Sequence, residues 1–149
     1  MNDFFATIYE TWFGIFNGQY DLIFTTLYTD GGYINFGLTF FCIPLLFLLL
    51  FYFVWRYPYG KWWHWLIWLL GSSLLVLGAT LCIANTEIFG SNNEGLIYAL
   101  SNPGSGYNEF ASSLPIKYAS INFCLALLIG CIYSILMKQF SKIQMHLPF

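Results

Sequence analysis

Charge is what this sequence has least of. Of its 149 residues, five are Lys or Arg and seven are Asp or Glu, 8% in all. A soluble domain carries about a quarter charged residues. With 58% hydrophobic and 22% aromatic residues, a soluble fold would be coated in large apolar patches. A lipid bilayer is the solvent that fits this composition, as one membrane domain over residues 1–149. Five basic residues also exclude a nucleic-acid footprint, whose affinity comes from neutralising several phosphates.

Other signatures are absent. Cys42, Cys82, Cys124 and Cys131 lie inside apolar runs with no CxxC spacing, which argues against a zinc site or redox dithiol. They read as small buried residues, although a Cys42–Cys82 bridge is geometrically conceivable. The two histidines, His64 and His146, are far from every carboxylate in the expected topology. No P-loop, GxSxG or HExxH occurs, so catalysis, metal and cofactor are not expected. There is no N-x-S/T acceptor and no internal repeat. No basic leader precedes an A-x-A cleavage pattern, so the mature chain is expected to keep its first residues.

What the sequence has is apolar length. Three runs, 33–54, 62–84 and 119–137, contain no charged residue. At 1.5 Å per residue each covers roughly 28–35 Å, close to the hydrocarbon thickness. Continuous runs without period-two alternation are helices rather than barrel strands. The expected fold class is therefore an all-α integral membrane protein with three transmembrane helices. An N-terminal segment (1–32), a loop (85–118) and a tail (138–149) complete it.

The few charges are sorted. Arg56, Lys61, Lys138 and Lys142 flank one set of ends, whereas all seven acids lie before the first run or between the second and third. The positive-inside rule then places the N-terminus and the 85–118 loop outside and the C-terminus in the cytoplasm. Lys117 alone dissents. Tyr57, Tyr59, Trp62, Trp63 and Trp65 crowd the cytoplasmic turn and read as interfacial anchors, with His64 at the same depth. Pro44 is expected to kink the first span.

Outside the spans, Phe5, Ile8, Trp12 and Phe16 recur at helical spacing, flanked by Phe4, Tyr9 and Ile15. They predict an amphipathic helix in the outer interface, aromatic face towards lipid, interrupted at Gly18. Trp12 would be its anchor. Glu10 sits on its polar side and could face a water-filled vestibule. A Gly-Gly turn leads from this segment into the first span. In the loop, "SNNE" (91–94) is a capping-box pattern ahead of an apolar stretch and predicts a short helix. "NPGSG" ends it; a second short turn is expected over 108–113, with Pro115 leading into the third span.

The third span carries one unusual stripe. Asn122, Ala126, Gly130, Ser134 and Lys138 recur at every fourth position and so share a helix face. Small residues at this spacing let backbones approach closely. Two partners are open: the small positions of the second span, including Gly71 and Gly78, or another subunit and a line of water.

The opening "MNDFF", then "IYE" and "FG", and the "KWWHWLIW" entry to the second span resemble a group of small multi-spanning bacterial membrane proteins of Bacteroidetes type. The resemblance covers less than half the chain and implies a bacterial inner-membrane location. It brings no site residues and no activity.

Two functional readings follow. One is a homo-oligomeric channel or pore, with Asn122, Ser134, Lys138 and Glu10 facing water. A role as a membrane effector of stress or phage defence extends that reading with no residue behind it. The other is a membrane-anchoring or assembly subunit that docks a larger protein partner. Both place the chain in a lipid bilayer, and the first adds copies of itself.

Overall fold

The computed structural model describes residues 2–55 and 62–141. Among the described residues the protein is all-α, and three helices are long and apolar enough to cross a membrane. In order, α1 is Asn2–Ala6, a π-helical turn covers Thr7–Trp12, and a 3₁₀ turn covers Gly18–Tyr20. Then come α2 Asp21–Thr29, α3 Gly32–Phe53, α4 Trp62–Phe89, α5 Glu94–Ser101 and α6 Tyr107–Lys138. The basic turn with Arg56 and Lys61, the aromatics Tyr57 and Tyr59, and the tail with Lys142 and His146 lie outside the described residues.

The spans sit where the apolar runs put them, but two are longer. α3, α4 and α6 have 22, 28 and 32 residues, roughly 33–48 Å of helix against a hydrocarbon core of about 30 Å. The surplus is polar in sequence and helical for local reasons. α4 continues through Asn85, Thr86 and Glu87 because Ile88 extends the buried face begun by Ala84. Asn85 and Thr86 bond back to the carbonyls of Leu81 and Cys82. α6 starts at Tyr107, not at 119, and the expected turn at 108–113 is its first part. Ala111, Leu114 and Tyr118 form a buried face at helical spacing, and Pro115 is accommodated inside the helix. α3 likewise runs through Pro44.

By internal contacts the chain divides into two units. The first comprises Met1–Gly37 with Gly78–Ser120. Its core contains Tyr9, Tyr33, Phe36 and Tyr118, all fully buried. Tyr9 stacks on Tyr33 at 6.0 Å and meets Tyr118 edge-on at 5.4 Å. The N-terminal segment is held against this core. A side chain at Gly37 would collide with the Phe5 ring, so that glycine is the socket for Phe5. Asn2 donates to the Tyr28 carbonyl, and Tyr28 donates its hydroxyl to Asp3.

The N-terminal helix differs from expectation in two details. It breaks at Phe13–Gly14, where Gly14 adopts φ +63°, before Gly18 is reached. The i→i+5 bond from Phe13 to Ile8 then widens the turn and rotates the register. Phe5, Ile8 and Tyr9 face the core, while Trp12, 74% exposed, and Phe16 turn outward.

The stretch that leads to the Gly-Gly turn is itself helical, as α2. Its Ile23, Phe24 and Leu27 form one buried face, and Gly31, at φ +77°, turns the chain into α3. α5 is the short helix expected in the loop. Its cap is Asn93 rather than Ser91, with the Asn93 carboxamide oxygen accepting from Gly95 and Leu96. Asn93 also donates to Thr26 of α2 at 3.0 Å.

The second unit comprises Leu38–Leu77 with Ile121–Phe149. Leu48, Phe51, Tyr52 and Met137 are its packed core, surrounded by Leu45, Trp55, Trp65, Trp68 and Tyr133. The four cysteines are free of disulfides and exposed, not buried as expected. Their apolar side chains suit a lipid-facing surface as well as a core.

Candidate functional site

The α6 stripe lies in the second unit and is buried. Asn122, Ala126 and Ser134 have no exposed surface, Gly130 is buried, and Lys138 is half-buried at the helix end. Asn122 donates to the Thr39 hydroxyl of α3 at 3.3 Å. A side chain at Gly130 would collide with Leu69 of α4, so Leu69 fills the groove that this glycine leaves. The Ser134 hydroxyl accepts from the Trp65 indole N–H at 2.7 Å and shares a 2.5 Å hydrogen bond with the Tyr52 hydroxyl. Ser141 donates to the Tyr52 carbonyl at 2.6 Å. Three helices thus meet on two small or polar positions of α6, Gly130 and Ser134.

Gly71 and Gly78 of α4 do not make the close contact at this groove. A side chain at Gly71 or at Gly78 would meet nothing within 4 Å. Leu69, a large residue, occupies the contact at Gly130, because a leucine fills a glycine groove better than a second glycine would. The proposed anchors separate as well. Trp62 and Trp63 are exposed and pack ring to ring at 4.0 Å. Trp65, two residues beyond Trp63, turns inward to Ser134.

Glu10 lies in the first unit, on the π-helical turn, and is half-buried. Its Oε1 accepts from the Tyr33 hydroxyl at 2.5 Å. Tyr33 belongs to the aromatic core just described, with its ring 6.3 Å from that of Tyr118. Glu10 also lines a cleft of about 210 Å³ with Phe16, Asp21, Phe24, Thr25 and Tyr28. Outside the spans, the Asp3 carboxylate next to the Tyr28 phenol pushes its pKa above the ordinary value of about 10. Among the described residues, no group of three or more His, Cys, Asp or Glu is placed to hold a metal ion.

Sequence reasoning missed Tyr33, Tyr52 and Trp65 as polar partners. Each is an amphipathic aromatic whose hydroxyl or N–H needs a partner once its ring is buried. That need is a sequence-level signal; the identity of the partner is not.

Comparison with protein-family models, with curated proteins and with solved structures finds no match to this chain.

Proposed function

We propose that the protein is a membrane-anchoring or assembly subunit: a three-span protein whose α6 polar stripe is satisfied within its own chain and which presents a short extramembrane helix to a larger protein partner. The observation that carries this reading is the occupied stripe. Polar groups that line a water path must face water. Those of α6 are instead bonded to Thr39, Trp65 and Tyr52 of the same chain. The exposed side chains of α4 and α6, among them Ile67, Leu74, Leu128 and Ile132, suit hydrocarbon. α5 buries Leu96 but leaves Ile97 and Tyr98 uncovered, the latter 75% exposed. An aromatic and an aliphatic side chain on a polar loop are the composition of a protein contact.

The sorted charges support an orientation with the N-terminus and α5 outside and the C-terminus in the cytoplasm. The resemblance to small bacterial membrane proteins favours an inner membrane.

One observation favours a second reading, a homo-oligomeric channel with its path between copies. The open space over Gly71 and Gly78 would admit a helix from another copy. Native mass spectrometry in nanodiscs, with conductance in planar bilayers, separates the two. The subunit reading expects a single copy without conductance. A ring of about five or more copies that conducts would replace it with the channel.

A further inference from the structure

The first unit carries all seven carboxylates and one basic side chain, Lys117. The Lys117 ammonium lies 5.4 Å from the centre of the Phe110 ring, itself 6.2 Å from the Phe24 ring. Two of the carboxylates, Glu10 and Asp21, line the same 210 Å³ cleft. They arrive from different elements, Glu10 from the π-helical turn and Asp21 from the first turn of α2. π-helical turns recur at functional sites, where the extra residue re-aims a side chain.

The remaining walls are aromatic or hydroxylic. Phe16 and Phe24 hold their rings 5.1 Å apart at 54°, Tyr28 adds a third ring, and Thr25 a hydroxyl. Carboxylates beside several aromatic side chains match an ammonium group. The carboxylates supply counter-charge and the rings supply cation–π attraction. A calcium or magnesium ion is a poorer match, since it demands six or more oxygens at 2.0–2.6 Å, whereas half of the lining residues are aromatic and Phe16 and Phe24 bring no side-chain oxygen.

We propose that this cleft binds a small primary ammonium group. Two sources share that chemistry: a free amine, or the headgroup of phosphatidylethanolamine. The same segment exposes Trp12 and Phe13 next to the cleft-lining Phe16, as an interface-facing segment would. The net negative charge of the unit draws cations towards it whichever the source.

The test uses the full chain in phosphatidylglycerol nanodiscs, titrated calorimetrically with ethanolamine, and native mass spectrometry of lipid retained from nanodiscs containing phosphatidylethanolamine. Saturable binding of either probe, weakened about tenfold or more by Glu10→Gln and by Asp21→Asn, is expected. Asp30→Asn, outside the cleft lining, should leave it unchanged. Retention of the lipid without binding of free ethanolamine identifies the headgroup as the source; binding of free ethanolamine identifies a soluble amine. Glu10→Gln keeps an oxygen for Tyr33 to donate to, and should melt like the parent chain. If it does not, Asp21→Asn decides. Binding of neither probe, or binding indifferent to the folded variants, overturns the proposal.

Discussion

Ser134 of α6 accepts a hydrogen bond from the Trp65 indole of α4 at 2.7 Å. One small hydroxyl thereby joins two spans, and through the Tyr52 hydroxyl it reaches a third. All three groups would be costly to leave unpaired in a low-dielectric interior. Ser134→Ala should therefore destabilise the fold by about 1–2 kcal/mol, the range for a buried polar group that loses its partner. Equilibrium unfolding in bicelles reads this directly. A neutral result would mean that Trp65 and Tyr52 find other partners.

Gly130 and the two α4 glycines should respond in opposite directions. Gly130→Leu places a side chain where Leu69 already sits, and overpacking of this kind costs about 1–3 kcal/mol. Leu69→Ala in the same chain should recover part of the loss. Gly71→Ala and Gly78→Ala meet open space and remove helical glycines, so they should be neutral or stabilising by about 0.5–1 kcal/mol. Loss of stability at Gly71 or Gly78 would point to a neighbour from another chain.

The Phe5 socket predicts a local effect. Gly37→Ala forces the Phe5 ring out, and amide exchange over residues 2–12 should quicken about tenfold while the second unit is unaffected. Combined with Phe5→Ala it should do no further harm than Phe5→Ala alone. Additive effects would show that Gly37 matters for a reason other than Phe5.

The Asp3–Tyr28 contact sets a pH dependence with a definite sign. Asp3 raises the Tyr28 pKa above about 10 in the folded chain. The protonated phenol is thus favoured by folding. The contribution of this contact is complete below about pH 10 and is lost as pH rises through the elevated folded value. Carbon-13 tyrosine NMR should find Tyr28 titrating above free tyrosine, and Asp3→Asn should bring it back. A Tyr28 titration that ignores Asp3→Asn would contradict the contact.

The spans were legible because a bilayer demands long apolar runs and little else does. Their ends were not, because Asn85–Phe89 and the first turns of α6 look like loop until Ile88 and Ala111 are known to be buried. α2 hid for a related reason. Its nine residues are too few for a strong periodic signal. The stripe on α6 could be read from spacing alone, yet its neighbours could not. Spacing shows that Gly130 offers a groove; it does not show that Leu69, rather than Gly71 or Gly78, fills it. Trp65 shows the same limit. Beside Trp62 and Trp63 it reads as an interface anchor, and only the approach of α6 turns it into a donor to Ser134.

The central claim is that the α6 stripe faces its own chain and not water. Cysteine accessibility tests it most directly. In a background with the four native cysteines replaced by serine or alanine, Ala126→Cys and Ser134→Cys would be exposed to a membrane-impermeant, water-borne thiol reagent in native membranes. Both positions are fully buried, so neither should be modified until the protein is unfolded. Rapid modification at both, with the fold intact, would place water along the stripe and contradict the account.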